Sequence, residues 1–430
     1  MRFLFVIGVI TVLIGPARAT ESDGSMESFL ELAQQRNPDL RAMRASLEAS
    51  RARRKTVRVW DNPILGYSKE DEPGGGEVTH WRGEQDIPFP GKRTLEGDAA
   101  AYEAEAMEAE TRAKSLAVRA QARSLMFRFH RTQKMSRLLS EQIALVDTLT
   151  GSVRGRLARI QGGGSSAGSM NPPGMAGSPV GDGGSAYFAL ESERTRLTNA
   201  LLQENLENRS TVRELNALLD RPVQTPLETV LVPPLHLPNE TADELVQRSF
   251  QLGPARLRAL QEQRAAQARL SRARLEFAPD FSVMYDWMKD KEGMTGSEKG
   301  ISASLPLWWN RPRGELVQAR AALVSADHSA RAVNRDAEQA VWTRYDEVET
   351  GFKVLRNIET GLLPSARSAF NIERARFESG RGEVTLFLET FRGVLMAEMD
   401  RQRAIEEFAA RWGALEQEVG GPVVLQGDKK

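Results

Sequence analysis

Two long stretches of the chain carry small or apolar residues at alternating spacings of four and three. This is the repeat of helices that pack side by side as coiled coils. The stretches cover residues 92–161 and 312–378. Their repeat positions are Leu95, Ala99, Tyr102, Ala106, Ala109, Ala113, Leu116 and Ala120, and then Leu316, Ala319, Leu323, Ala326, Ala330, Val333, Ala337 and Ala340. We predict two helices, the first ~105 Å long at about 1.5 Å per residue, which is too long for a monomeric globule.

Short segments with alternating polar and apolar residues precede each long helix. We predict strands at 64–70 and 78–87, and again at 280–288 and 300–305 around a loop at 289–297. The second strand has one wholly polar face, formed by His80, Arg82, Glu84 and Asp86, and the third strand has one apolar face, formed by Phe281, Val283, Tyr285 and Trp287. Such alternation is typical of a membrane β-barrel with a watery lumen. The alternative is a pair of surface hairpins packed on a helical body.

The second half of the chain repeats the pattern of the first. The prolines at 38, 63 and 88 recur at 254, 279 and 306, with offsets of 216, 216 and 218. The offset is 220 between Arg156 and Arg376, but only 198 between Glu191 and Glu389. The difference corresponds to a Gly-rich insertion at 162–184 in the first half. We therefore predict a tandem duplication.

The predicted organisation follows from these boundaries. We expect a signal peptide (1–19), a first repeat (20–220, strands within 62–88, helical hairpin 92–219 with the insertion 162–184), a Pro-rich connector (221–240), a second repeat (241–420, strands within 279–306, helical hairpin 312–419) and a tail (421–430). Helices of 29–36, 38–60, 186–219, 254–277 and 384–419 complete the pattern, and a capping box at 241–244 opens one more. The shorter helices are expected to stack end to end alongside the long ones.

Composition and the N-terminal segment indicate export. Arg2, the apolar run at 3–14 and the sequence Ala-Arg-Ala at 17–19 form a secretory signal. The apolar run is too short to span a membrane comfortably, and the sequence has no second apolar run of spanning length. The chain has no cysteine, which excludes disulfides, thiolate metal sites and a lipid-modified N-terminal cysteine. Lys plus Arg is 58 and Asp plus Glu is 58, so nothing points to nucleic acid.

Four strands cannot close a barrel, and open strand edges are not tolerated in lipid. Several chains must therefore share one barrel, and three copies would supply twelve strands, a plausible closed number. The predicted fold class is a mainly helical α+β membrane protein. In it, a long coiled-coil tunnel continues a β-barrel that a homotrimer shares.

The order of these features resembles the TolC-type outer-membrane efflux proteins across the whole mature chain. The junction motif is most similar to the CzcC/CusC-type heavy-metal branch, as are two further segments. These motifs are Ile87-Pro88-Phe89-Pro90-Gly91-Lys92-Arg93, Arg36-Asn37-Pro38-Asp39-Leu40-Arg41-Ala42 and Arg376-Phe377-Glu378-Ser379-Gly380. The resemblance implies a passive, gated duct in the outer membrane of a Gram-negative bacterium. It also implies a homotrimer that docks onto a periplasmic adaptor and an inner-membrane pump.

The resemblance also implies site residues. Gly380 falls on the family's tip glycine, so the adaptor-docking turn would comprise Ser379, Gly380, Arg381 and Gly382. The family's tunnel-entrance positions fall on Leu386 and Glu389, and Glu191 is the repeat partner of Glu389. Because only Glu389 is acidic of the first two, an entrance ring that binds cations stays one possibility beside ordinary surface charges. His80, Arg82, Glu84 and Asp86 are the candidates for the barrel lumen.

No motif indicates an enzyme, a cofactor or a bound metal. The glycine run at 162–164 lacks the Lys-Ser/Thr and the strand–helix context of a phosphate loop, and there is no Cys nucleophile or recognisable Ser/His/Asp arrangement. Two other functions stay open. The duct could serve drug efflux or type I secretion instead of metal efflux, or the chain could be a periplasmic coiled-coil scaffold or adaptor.

Overall fold

The computed structural model describes residues 26–71, 77–162, 179–227, 235–290, 292–379 and 381–424. The elements, in chain order, are α1 (Met26–Arg36), α2 (Pro38–Thr56), β1 (Ile64–Asp71), β2 (Glu77–Ile87), α3 (Lys92–Gly162), α4 (Pro179–Leu218), α5 (Ala242–Leu252), α6 (Pro254–Arg274), β3 (Asp280–Lys289), β4 (Thr295–Ser304), α7 (Asn310–Asn357), α8 (Leu363–Glu378) and α9 (Val384–Val419). A 3₁₀ turn (Leu275–Phe277) follows α6. The structure is thus mainly helical, with one small sheet.

Most predicted boundaries lie within three residues of those in the structure. The capping box is present, because the Thr241 side chain accepts from the Glu244 backbone N–H and the Glu244 carboxylate accepts from Thr241. Helix α2 ends four residues before the predicted end at Trp60. There, Thr56 donates its hydroxyl to the Arg53 carbonyl at 2.9 Å, which helps end the helix. The Gly-rich insertion lies mostly outside the described residues, although its last part already belongs to α4.

Strand β4 begins five residues earlier than predicted. The stretch 295–299 is rich in polar residues, and its first three residues belong to the loop predicted at 289–297, but the whole stretch pairs with β3. The loop shrinks because Met294 donates its N–H to the Asp290 carboxylate at 2.7 Å and Asp290 donates its N–H to the Met294 carbonyl at 3.0 Å. Pairing with a neighbouring strand outweighs the low strand preference of these residues.

The second long helix is not continuous, contrary to the prediction. A π-helical turn, Ile358–Leu362, separates α7 from α8. The cause is Pro364, which lacks the N–H that would bond to the Thr360 carbonyl and whose ring would clash with it. The axis of the helix continues through the turn, but the hydrogen-bond ladder is interrupted there.

The four strands form one antiparallel sheet in the order β1-β2-β3-β4. Register places Tyr67 opposite Trp81, and Trp81 opposite Trp287, on one face. The other face carries Arg82 opposite Asp286. Strands β1 and β4 are edge strands, and apolar residues of the first face are largely exposed, for example Leu65 at 83% and Ile301 at 81%. The sheet therefore has one apolar face, one polar face and two open edges.

Three separate apolar clusters hold the helices together. The first joins α1, α3 and the end of α4, the second joins α3, α4, α8 and α9 near the α8–α9 turn, and the third joins α5, α7 and α9. The alanine repeat of α3 is at least half-buried throughout, with Ala99, Ala106 and Ala109 fully buried, whereas the repeat of α7 is mostly half-buried. No helix among the described residues is long and apolar enough to cross a lipid bilayer.

The shorter helices meet end to end, as predicted. At the first meeting point, the buried Asn37 caps α2 by accepting from the Leu40 N–H at 3.0 Å, and its amide donates to the Leu218 carbonyl of α4 at 3.3 Å. At the second, Gly420 ends α9 with φ 87° and packs against the backbone of Leu252, just before α6. Each pair of short helices thus runs alongside a long one.

We expect Gly420→Ala to destabilise the second meeting point. A Cβ at this position would lie 2.3 Å from the Leu252 carbonyl oxygen, and the left-handed backbone alone costs a non-glycine residue about 1–3 kcal/mol. Gly393→Ala on the same helix is the matched control. Its Cβ meets nothing within 4 Å, so alanine should stabilise the helix by about 0.5–1 kcal/mol. Denaturant unfolding followed by circular dichroism measures both, and equal midpoints would contradict the prediction.

Candidate functional site

The junction between β2 and α3 is fixed by a buried lysine and its partners at the base of the neighbouring hairpin. Lys92 is 6% exposed, and its Nζ lies 2.9 Å from both carboxylate oxygens of Asp280, the first residue of β3. Asp280 also accepts from the Phe89 N–H at 2.7 Å, while Gly91 turns the chain with φ 100°. The motif at 87–93 therefore ties the start of the long helix to the base of the neighbouring hairpin.

The polar face of the sheet brings together two of the four predicted residues. Arg82 Nη2 lies 3.1 Å, and His80 Nδ1 lies 3.3 Å, from the same oxygen of Asp286. Glu84 is half-buried and Asp86 is exposed, and neither carboxylate forms an ion pair with any described residue. The four residues do share one face, but only His80 and Arg82 converge.

Asp286 is the residue of this face that sequence reasoning did not select. It is 2% exposed, and its Oδ1 has no hydrogen-bond partner among the described residues. It lies between Met284 and Met288, whose methyl groups occupy the space above Gly300 and Gly296 of β4. A carboxylate in the middle of the polar side of β3, opposite Arg82 in register, was the available signal.

The α8–α9 turn contains the predicted docking residues. Ser379 donates its N–H to the Ala375 carbonyl at 3.1 Å, and the N–H groups of Arg381 and Gly382 both donate to the Arg376 carbonyl at 3.0 Å. These bonds satisfy carbonyls that the helix end leaves open. Gly380 lies outside the described residues. The docking role of Ser379, Gly380, Arg381 and Gly382 stays a prediction.

The entrance candidates have different surroundings. Leu386 is 40% exposed, and Glu389 is exposed without an ion-pair partner among the described residues. Glu191 is half-buried and accepts from the Tyr187 hydroxyl at 3.3 Å. Glu389 is thus a solvent-exposed carboxylate, whereas Glu191 has a contact on its own helix.

A buried ion pair beside these residues was missed. Glu193 of α4 is 1% exposed, and its carboxylate accepts from Arg392 of α9 at 2.9 Å from Nε and 2.6 Å from Nη2. The hydrogen bonds to Glu193 raise the pKa of Arg392, so its guanidinium stays protonated. It links the second helical hairpin to the first. A glutamate two positions after Glu191, on the apolar side of α4, was the signal for it.

Next to the ion pair, aromatic rings fill the α8–α9 turn. Phe377 and Phe387 stack with ring centroids 5.0 Å apart, and Phe370 and Phe391 pack against Phe387 at 5.8 and 6.1 Å. Phe387 is fully buried. This end of the molecule therefore has a well-packed aromatic core, next to which the ion pair between Glu193 and Arg392 lies.

Comparison with known proteins gives the fold of the chain a precedent. Residues 242–421 match the sequence model of the family described as Outer membrane efflux protein. No curated protein matches the sequence. Among solved structures, VceC from Vibrio cholerae superposes with a TM-score of 0.71 at 15% identity, over 92% of this chain and 96% of that chain. The chain has the fold of the outer-membrane efflux channels.

Two further channels share this efflux-channel fold to the same degree. The open state of MtrE from Neisseria gonorrhoeae has a TM-score of 0.71 at 16% identity, over 93% of this chain and 89% of that chain. CusC has a TM-score of 0.71 at 15% identity, over 93% of this chain and 92% of that chain. The shared fold thus covers 92–93% of the chain and includes most of the first half, which the family model does not reach.

Proposed function

We propose that this protein is the outer-membrane channel of a tripartite efflux system, a passive and gated duct from the periplasm to the exterior. The observation that carries the proposal is the two-faced sheet on the end of a helical body. Its apolar face carries exposed Leu65, Tyr67, Trp81 and Ile301, which suit lipid, and its polar face carries His80, Arg82 and Asp286, which suit a watery lumen.

The proposed channel is a homotrimer. The sheet order leaves the outer edges of β1 and β4 without a partner strand among the described residues, and every residue of β1 is exposed in the single chain. In lipid, such edges require partners, and identical chains supply them without a further component. Exposed apolar side chains on the helices, such as Leu202 and Leu206 of α4 and Val317 and Val324 of α7, would be covered in the same assembly.

The proposed channel is built from two tandem repeats, with the boundaries predicted from the sequence. The two halves follow one another as helix pair, hairpin, long helix and returning helix, with the connector at 221–240 between them. The signal peptide at 1–19 would direct the chain to the periplasm, and the tail at 421–430 follows α9. The proposed gate is the α8–α9 turn with its counterpart near the insertion, and the adaptor would dock at residues 379–382.

For the cargo, we propose heavy-metal cations. The proposal rests on the junction and turn motifs that resemble the CzcC/CusC-type branch and on the exposed carboxylate of Glu389 near the turn. Within the described ranges, no group of three or more His, Cys, Asp or Glu side chains could hold a metal ion. Any selectivity would therefore lie in the partner pump. Drug efflux or type I secretion would use the same duct.

The first experiment is growth of a deletion strain on copper, silver, zinc, cobalt and nickel, with bile salts and dyes alongside. Sensitivity confined to metals, restored by the intact gene, would support the metal cargo. Sensitivity confined to bile salts and dyes would leave the channel and remove the metal cargo. Membrane fractionation tests the channel itself, since a soluble periplasmic monomer or dimer would favour the scaffold or adaptor role and overturn the duct.

A further inference from the structure

A cavity of about 950 Å³ lies between α3, the end of α7 with its π-helical turn, and α9. Leu235 and His236, from the segment that leads into α5, border it. The cavity lies on the sheet side of the second apolar cluster, away from the docking turn and from the polar face of the sheet. None of the site residues considered above lines it.

The floor of this cavity is apolar except for one amide. Met135 and Leu355 are buried, at 2% and 5% exposure, and the half-buried Phe352 and Ile405 extend the apolar surface. Gln402 is 7% exposed, and its Oε1 is buried without a hydrogen-bond partner among the described residues. An unpaired buried acceptor costs free energy, which a donor entering the cavity would recover.

The rim of the cavity has an excess of positive charge. Glu359 is neutralised by Arg401, whose Nε lies 2.9 Å away, and Glu398 is neutralised by Arg367. Lys134, Arg137 and Arg356 form no ion pair with any described residue, and Glu141 is the one unpaired acid that lines the cavity within the described ranges. Among the described residues that line the cavity, three cations and one carboxylate therefore have no ion-pair partner.

The pKa of His130 is affected by the same positive charges. Burial, and then the charges of Lys134, Arg137 and Arg401, lower the pKa of its imidazole. A neutral imidazole adds a hydrogen-bonding group to the cavity without adding charge. The cations thus act on one region of space, where an anion would be stabilised.

We propose that this cavity binds an amphipathic carboxylate, with a hydroxyl-bearing apolar body of about steroid size. The carboxylate would lie among Lys134, Arg137 and Arg356, the apolar body would cover Leu355 and Phe352, and a hydroxyl would donate to Gln402 Oε1. A volume of 950 Å³ is at the upper end of the range of drug-sized ligand sites. Inorganic anions would use only the rim and would leave the floor exposed.

The test is isothermal titration of cholate, below its micellar concentration, into the assembled protein in lipid nanodiscs. We expect saturable binding with one site per chain. The double variant Lys134→Gln/Arg356→Gln should weaken it about tenfold or more, since hydrogen bonds to charged groups are the strong ones. Gln402→Met, which keeps the side-chain length, should weaken it by a smaller factor. The uncharged methyl ester of cholate should bind about tenfold more weakly or not at all.

Arg335→Gln, on α7 but outside the cavity, is the matched control and should leave the affinity unchanged. Absence of saturable binding would overturn the proposal. This is the result that we expect if a second copy of the chain covers the cavity in the assembly. Equal affinity in the double variant, or displacement of cholate by equal concentrations of inorganic phosphate, would also overturn it. Ion conductance of the double variant, measured in parallel, tests the channel separately.

Discussion

Arg392→Met is expected to raise the resting conductance of the reconstituted channel. The substitution leaves the carboxylate of Glu193, 1% exposed, without its two hydrogen bonds from α9. A hydrogen bond to a charged group contributes about 1.5–3 kcal/mol, and the partial exposure of Arg392 favours the lower end. The closed arrangement of α4 and α9 would then lose a factor of about ten in its equilibrium with an open one. Planar-bilayer recordings at fixed salt measure the change.

Two further variants separate the ion pair from general damage. Glu193→Met/Arg392→Met replaces both charges by apolar side chains, so it should return the conductance towards that of the unmodified protein. Arg403→Met is the matched control on α9, because Arg403 makes a loose 3.9 Å contact with Asp400 and is exposed. An unchanged conductance for Arg392→Met would show that this pair does not hold the channel closed.

Glu416→Gln is expected to lower the free energy of unfolding by about 3–5 kcal/mol, the usual cost of breaking a buried ion pair on one side. Glu416 is 3% exposed and accepts from Arg123 Nη1 at 2.7 Å and from the Val423 N–H at 3.0 Å. Arg123, itself 2% exposed, lies over the ring of Trp412 at 3.9 Å. Removing the negative charge leaves a buried guanidinium without a counter-ion. Denaturant unfolding followed by tryptophan fluorescence measures the loss.

The reversal changes the same two residues, and the control changes an ion pair between α3 and α4. Arg123→Met/Glu416→Leu removes both charges and should recover most of the lost stability, since two apolar side chains of similar volume can replace a buried pair. Glu214→Gln breaks a 3.7 Å pair with Arg128 that is partly exposed, and it should cost about 1 kcal/mol or less. A Glu416→Gln protein as stable as the Glu214→Gln protein would refute the account.

The long helices and the sheet could be predicted because their signals are local and periodic. The alanine repeat sets the helix from Lys92, and the alternation of polar and apolar residues sets β2 and β3. The interruption at Pro364 was also readable, since an internal proline breaks the hydrogen-bond ladder, but the prediction of one helix over 312–378 did not take it into account. The extra length of β4 was not readable, because its polar residues become a strand only through pairing with β3.

The site was less predictable than the fold, because its key residues act across distant parts of the chain. The polar face of β2 followed from alternation, yet its buried partner Asp286 lies on another hairpin. Glu193 and Arg392 are separated by 199 positions, and no local pattern relates them. A charged residue at an apolar helix position indicates a buried partner but does not tell which residue it is.

The end-to-end helix contacts have a mechanical consequence. Helix α3 connects the sheet to the far end of the helical body as one continuous chain, whereas the routes through α4 and α2, and through α9 and α6, each cross a non-covalent contact between helix ends. A rotation at the far end of the helices can therefore be accommodated by small movements at the helix-end contacts of Asn37 and Gly420. The continuous helix α3 keeps its length. Movements at the far end of the helices would therefore be transmitted only weakly to the sheet.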